Sequence, residues 1–295
     1  MDEKRILVLG RSGQLASELQ GLAWPADIEV RFRGRSEVDL LNKAAMDAAM
    51  RDFVPHIVIN AAAYTAVDKA EEEVDQAYAL NANAVAQLAD LTARMDIPLL
   101  HVSTDYVFDG RSQVPYLETD AVNPLSVYGA SKAAGEAEIR RLAPRHVIVR
   151  ASWLFGSHGN NFLKTMLRLS TTRNVISVVD DQHGGPTPSL DLATALQEIT
   201  LQNLAGREDA YGTFHFCGTP ETTWHDFARE ILIALRDVTN AAPILERIGS
   251  AEYVTLAQRP KRSTLDCSKI ETVYGISQPD WARRVVQCAR EVVLA

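Results

Sequence analysis

Over its first half the chain alternates short apolar runs with longer amphipathic stretches. "KRILVLG" ends at Gly10 and gives way to "QLASELQGLA", a helical pattern. "DIEVRF" leads to "KAAMDAAMRDF", and "HIVINAAAY" to a long helical reading from Glu71 to Met95. "IPLLHVS" runs into "TDYVFDG" and a turn-rich loop that reaches Pro124. A helix from about Ser126 to Leu142 then precedes "HVIVRAS". Apolar runs of this length, without polar alternation, predict strands buried on both faces. Their alternation with helices predicts the α/β class, with a doubly wound parallel sheet.

After Arg150 the rhythm becomes mixed. Helices are expected over "NFLKTMLRLS", "LDLATALQEITL", "TWHDFAREILIALRDV" and from about Pro279, and strands over "VISVVDD" and "GTFHFCG"; the region through "AQRPKRS" reads as loop. Residues 1–150 are therefore expected to form a Rossmann-like nucleotide-binding domain. Residues 151–295 are expected to form mainly a smaller α/β substrate lobe that returns a segment to the first.

Composition narrows the function. The chain has 295 residues and a net charge of −8, which argues against nucleic acid or an anionic membrane surface as partner. No run approaches the ~18 apolar residues of a membrane span, and the first run is too short for a signal peptide. Three scattered cysteines, Cys217, Cys267 and Cys288, read as reduced thiols, so a cytoplasmic location is expected. None of the seven histidines has metal-ligand spacing to another His or Cys.

The first turn, "GRSGQLA", runs Gly10, Arg11, Ser12, Gly13, Gln14, Leu15, Ala16. Glycines between a first strand and first helix let the backbone approach a pyrophosphate, and the helix N-terminus supplies donors. The spacing is G-x-x-G-x-x-A; Ala16 is small enough for the close packing its position requires. After the second strand come Arg31, Arg33 and Arg35 where an acid would indicate NAD. Arg33 or Arg35 could meet a 2′-phosphate, which favours NADPH over NADH; the plainer alternative is a solvated basic edge. "NAAAY" closes the third strand, and its small residues Ala61, Ala62 and Ala63 leave room for a ligand across the sheet edge.

"SVYGASKAAGE" places Tyr128 and Lys132 four residues apart, on one face of a helix. Alone the pair is a weak signal. It gains weight beside Thr104, which closes the fourth strand at the carboxyl edge where such sheets bind ligands. A neighbouring ammonium, together with the positive nicotinamide ring, would favour phenolate and make Tyr128 a usable acid, while Thr104 hydrogen-bonds the same carbonyl oxygen. Lys132 could also hold the nicotinamide ribose, which counts Tyr128 and Lys132 among the cofactor contacts.

Those residues resemble the extended short-chain dehydrogenase/reductases, and among them the dTDP-4-dehydrorhamnose reductases. The matching runs include "GRSGQLASEL", "NAAAYTAVDKAE", "HVSTDYVFDG", "PYLETDAVNPLSVYGASKAAGE", "RASWLFG", "DDQHGGPTPSLDLA" and "RPKRSTLD", spread along almost the whole chain. The resemblance implies a catalytic trio of Thr104, Tyr128 and Lys132. It implies cofactor contacts at Gly10 to Gly13, Asp39, Leu40, and Ala63, Tyr64 and Thr65. Thr104, Asp105 and Trp153 fall where the family holds its nucleotide sugar, although a Trp after a buried strand is often core. Arg259 falls where a diphosphate clamp would sit, or is a surface Arg. The implied reaction is NAD(P)H-dependent reduction of a dTDP-4-keto sugar to dTDP-L-rhamnose. A homodimer and Mg²⁺ are implied by resemblance alone, and no carboxylate cluster in the sequence marks a metal site. The alternatives are a related ketoreductase making another epimer, a 4,6-dehydratase or epimerase, and a non-catalytic regulatory subunit. Against dehydration, Asp105 is followed by Tyr106 rather than a second acid.

Overall fold

A computed structural model describes residues 3–207, 210–239 and 243–294. Five strands, β1 (Lys4–Leu9), β2 (Ile28–Arg33), β3 (Ile57–Asn60), β4 (Leu99–Thr104) and β5 (His146–Ala151), lie parallel in one sheet. A further strand, Gly212–His215, comes back from the second half and pairs parallel with β5. The order across the sheet is 212–215, β5, β4, β3, β1, β2. The chain leaves β1 toward one edge, then crosses back to β3 on its other side. That reversal opens a crevice at the carboxyl ends of β1 and β3.

The apolar runs have a direct cause: alternate residues of each strand enter different cores. Leu7, Leu9, Val58 and Leu99 pack with Met46 and Leu88 on one face. Ile6, Val8, Ile59 and Leu100 pack with Leu19 and Leu196 on the other. The helix Ser189–Leu204 supplies Leu196 and lies against α1 (Gln14–Gly21). A third core, around Phe155, Phe227 and Trp281, holds the helices Phe162–Ser170, Trp224–Thr239 and Trp281–Leu294 together.

Several elements depart from expectation. The single helix expected from Glu71 to Met95 begins at Val74 and carries a π-helical turn, Ala79–Asn83, between Val74–Tyr78 and Ala84–Arg94, and a short helix, Val67–Ala70, precedes it. Such a turn widens the backbone spiral and re-aims side chains, and it recurs at functional sites. The strand Ile244–Ile248, which pairs parallel with Val175–Val179, lies in the region read as loop, and the helix Ser268–Tyr274 lies between that region and the last expected helix, where no element was expected. Ile244–Ile248 is a largely exposed edge strand and lacks the apolar run of a buried one. Among the described residues, no helix is long and apolar enough to cross a membrane.

Candidate active site

The crevice between β1 and β3 is built closely. Gly10 N–H donates to Arg33 O (2.9 Å), and Ala61 N–H donates to Leu9 O (2.9 Å). Gly10 has φ 119°, and a Cβ there would come within 3.4 Å of the Ala61 carbonyl carbon. Gly13 caps α1 without a side-chain hydrogen bond, and nothing stands within 4 Å of where its Cβ would be. Open space over a helix N-terminus fits a pyrophosphate. Arg11 and Ser12 are exposed, Leu15 enters the core, and Gln14 accepts a hydrogen bond from Asn161 at the head of Phe162–Ser170 (2.7 Å).

At the tip of β2 an acid accompanies the expected arginines. Glu37 accepts from Arg11 (2.7 Å), from Arg33 (3.3 Å) and from Gly34 N–H (2.9 Å). These contacts hold its carboxyl below the ordinary range, with the Gly34 hydrogen bond foremost. Arg33 therefore does not face solvent alone, while Arg35 is exposed. Asp39 turns back to accept from Leu41 N–H (3.0 Å), and Leu40 is buried behind the groove. The wall opposite, Ala61 to Thr65, is pinned by Asn81 from the π-helical turn. Tyr64 N–H donates to Asn81 Oδ1 (2.8 Å), and Asn81 Nδ2 donates to Tyr64 O (3.0 Å) and Ser131 Oγ (3.0 Å). Asn81 thus couples the cofactor wall to the helix Val127–Leu142.

That helix starts at Ser126, whose hydroxyl accepts from Gly129 N–H (3.2 Å). Tyr128, Lys132 and Glu136 follow at intervals of four on one face. A Cβ at Gly129 would sit 2.1 Å from Tyr106 O, so only glycine lets the helix lie this close to the turn Asp105–Val107. The closeness brings the Tyr128 and Thr104 hydroxyls together at the end of β4. Thr104 Oγ1 donates to Asp105 Oδ1 (3.1 Å) and accepts from Tyr106 N–H (3.2 Å). Tyr106 sets its ring edge-on to Tyr128, with centroids 6.1 Å apart.

Burial dominates the electrostatics. It pushes the Tyr128 hydroxyl up to about 12, opposed by the Thr104 hydrogen bond and reinforced by Asp105. It raises the Asp105 carboxyl to about 7 against hydrogen bonds from Ser263 and Thr104. It lowers the Lys132 ammonium to about 8 against the opposing charge of Glu136. Lys132 is not among the causes of the Tyr128 shift; the lowering expected from sequence joined its charge to that of the nicotinamide ring. Lys132 Nζ turns instead to β4, donating to Val102 O (2.7 Å) and lying 3.1 Å from His101 Nε2.

Toward the second lobe, Arg259 forms a bidentate pair with Asp68 (2.7 and 3.1 Å) and reaches the Tyr106 hydroxyl. It lines a cleft of about 560 Å³ with Arg111, Lys261, Tyr253 and Leu256. Trp153 has φ 47° and stacks on Trp224, ring centroids 3.7 Å apart, so it is part of the second lobe's packing. Nothing among the described residues marks a site for the Mg²⁺ that the resemblance implies. The one grouping of metal-capable side chains among them is Asp180, His225 and Asp226. Arg247 already binds both carboxylates, which makes the grouping an ion-pair network. Asn60, Asn81, His101, Gly129 and Glu136 were not singled out from sequence. Their only signal there is a polar or minimal residue inside an otherwise apolar or helical run.

The model for the RmlD substrate binding domain matches residues 4–294. A curated dTDP-4-dehydrorhamnose reductase of Aggregatibacter actinomycetemcomitans is 45% identical over 282 residues, 95% of this chain and 96% of the relative. The Salmonella typhimurium enzyme of that name is 36% identical, covering 97% of each. A crystal structure of dTDP-4-dehydrorhamnose reductase from Bacillus anthracis in complex with NADP aligns with a TM-score of 0.88 and 34% identity, over 98% of this chain and 99% of that one. A dTDP-glucose 4,6-dehydratase from Streptomyces venezuelae, 19% identical with a TM-score of 0.79, shares the fold. By sequence along its whole length and by structure, the chain belongs to the dTDP-4-dehydrorhamnose reductase family.

Proposed function

We propose that the protein reduces the C4 keto group of dTDP-6-deoxy-L-lyxo-4-hexulose to give dTDP-L-rhamnose, with NADPH, and NADH as a second donor. The observation that carries this reading is the meeting of the Thr104 and Tyr128 hydroxyls at the carboxyl edge of the sheet, beside the Gly10–Gly13 groove. Gly10 to Gly13 and the α1 N-terminus would hold the pyrophosphate, and Arg11 and Arg33 the adenosine ribose end. When bound, the reduced nicotinamide supplies the hydride to C4.

The chain's own groups do the rest. Thr104 and Tyr128 hydrogen-bond O4 of the sugar, and the Tyr128 O–H bond breaks as its proton passes to that oxygen. A hydroxyl with raised proton affinity stays protonated at neutral pH until charge develops on O4. Asp105 would orient the sugar, and Arg259, held by Asp68, its diphosphate. Dehydration lacks its second acid: after Asp105 stands Tyr106, whose hydroxyl burial pushes well above its ordinary value. A homodimer and a cytoplasmic location belong to the same reading, and sizing chromatography checks the first.

The test is oxidation of NADPH and of NADH at 340 nm with enzymatically generated dTDP-4-keto-L-rhamnose. Wild type should turn over, and Tyr128→Phe should lose at least ~10²-fold in kcat, the size of a lost general acid. Binding of NADPH without turnover would replace this reading with a regulatory role. Identification of the product by NMR separates rhamnose from another epimer.

A further inference from the structure

Beneath Lys132 lies a row of buried polar groups that do not touch the site where the sugar would react. Asn60 ends β3, His101 sits in the middle of β4, and both are at most 1% exposed. Asn60 Oδ1 accepts from Ala62 N–H (3.1 Å). Its Nδ2 is 3.1 Å from His101 Nδ1, and His101 Nε2 is 3.1 Å from Lys132 Nζ.

The row has a donor at each end, a backbone N–H and an amine. That fixes its internal assignment. With Asn60 Oδ1 committed to Ala62, the Nδ2 group must donate, so His101 Nδ1 accepts and the imidazole carries its proton on Nε2. Nε2–H then points at Lys132 Nζ. An ammonium there would set donor against donor; a neutral amine accepts the bond and still donates to Val102 O. Reversing the Asn60 amide only moves the conflict to Ala62 N–H. Burial also holds His101 well below its ordinary range, so a second ring proton does not resolve it.

We propose that Asn60 and His101 are positioning residues for Lys132: by fixing the Nε2–H tautomer they weaken its hold on a proton and so set the upper pH limit of the reduction. Few other charges face this amine. Glu136 faces it from its own helix and favours the ammonium, but is itself bound by Arg150 of β5 and by Arg140. Asp105 and Tyr106 lie toward Tyr128. Asn81 and Ser131, from the π-helical turn and the same helix, are uncharged. On the reductase reading the Lys132 charge, one helical turn from Tyr128, offsets the tyrosinate formed there, so the reduction fails as Lys132 deprotonates. The consequence for rate rests on the reductase reading; the tautomer does not.

The experiment is ¹⁵N NMR of the histidine side chains, with His101 assigned by its loss in His101→Gln, followed by pH profiles of NADPH oxidation. Wild type should show His101 protonated on Nε2 and bare on Nδ1 at neutral pH. Asn60→Asp offers only acceptors. It should move the ring proton to Nδ1, turn Nε2 into an acceptor for the ammonium, and raise the upper pH limit by about one unit or more, as expected when a donor–donor contact becomes a charge-assisted bond. His101→Gln, whose amide can turn its oxygen to Lys132, should raise the limit likewise. An Nδ1–H tautomer in wild type overturns the inference. So does an unmoved limit in either folded variant, since a merely structural role would change melting temperature and leave the pH profile in place. The NMR result needs no substrate, which separates failure here from failure of the reductase reading.

Discussion

Removing the Glu136 charge should cost the fold a large fraction of its stability. Glu136 is fully buried and Arg150 is 2% exposed. Arg150 Nε and Nη2 donate to the two Glu136 oxygens at 2.9 and 2.7 Å, and Arg140 adds a third donor at 3.0 Å. The remaining Arg150 nitrogen lies 3.3 Å from His215 Nε2. Burial and the Arg150 charge push His215 down to about 3, so it stays neutral and cannot replace the lost anion. Glu136→Gln keeps the shape and strands a guanidinium in the core. Breaking a buried pair in this way costs about 3–5 kcal/mol, out of the 5–15 kcal/mol typical of a folded domain. The double variant Glu136→Leu with Arg150→Met removes both charges and should recover most of the loss. Urea unfolding at pH 7 of Glu136→Leu, Arg150→Met and the double variant, read as a double-mutant cycle, measures the coupling. A cost below about 1 kcal/mol for the single variant, or a double variant as unstable as the two singles added, would refute the reasoning. The sign with pH also follows. Burial raises the Glu136 carboxyl but its Arg150 contacts outweigh it, leaving a value below the ordinary 4.5. Its contribution is therefore complete above about pH 4.5 and lost as pH falls through the lower folded value, and Glu136→Gln should lack that acid-side slope.

Glu37→Gln should free Arg11 and Arg33 for a 2′-phosphate and remove an acceptor for a 2′-hydroxyl; KM for NADPH should fall and that for NADH rise, each about 3- to 10-fold, with kcat unchanged in steady-state assays. Asp105→Asn should stabilise the protein at pH 8. Its carboxyl is raised from 3.8 to about 7, so the native state holds a proton the unfolded chain has released, and stability falls as pH rises between those values. The gain at pH 8, seen in thermal melts against wild type at pH 8 and pH 4, should be on the order of a few kcal/mol, while KM for the keto sugar rises. Gly129→Ala should force the helix off Tyr106 O, costing about 1–3 kcal/mol in urea unfolding and lowering kcat more than it raises KM.

The sheet was legible because parallel strands covered on both faces need runs of consecutive apolar residues, and Ile6–Leu9, Ile57–Ile59 and Val147–Val149 supply them in β1, β3 and β5. Ile244–Ile248 carries no such mark, since its pairing with Val175–Val179 leaves most of it exposed. The π-helical turn was hidden for a different reason. Its residues, "ALNAN", have helical composition, and only the demand of the Ala61–Thr65 wall for Asn81 makes the extra residue worthwhile. Thr104, Tyr128 and Lys132 were legible as chemistry at an edge. The acid at position 37 was missed because three arginines dominate "RFRGRSEVD", although its carboxylate is what Arg33, and Arg11 from the first turn, meet.

Buried polar residues in apolar strands announce themselves in sequence but not their partners. His101 interrupts "IPLLHVS" and Arg150 interrupts "HVIVRAS", and each must find hydrogen bonds or destabilise the fold. Each has a partner on the one helix that carries Tyr128, Lys132 for His101 and Glu136 for Arg150, so these two interior polar residues of the sheet converge on that helix. Their effects on Lys132 have opposite sign. His101 presents a donor and disfavours the ammonium, while Glu136 presents charge and favours it, yet Arg150 neutralises most of that charge. A buried ion pair is weak support for stability compared with an apolar substitute. What an apolar substitute could not do is leave an amine near about 8, where a modest change in its contacts alters its charge at neutral pH. The polar interior of this sheet is thereby tied to the proton affinity of one lysine.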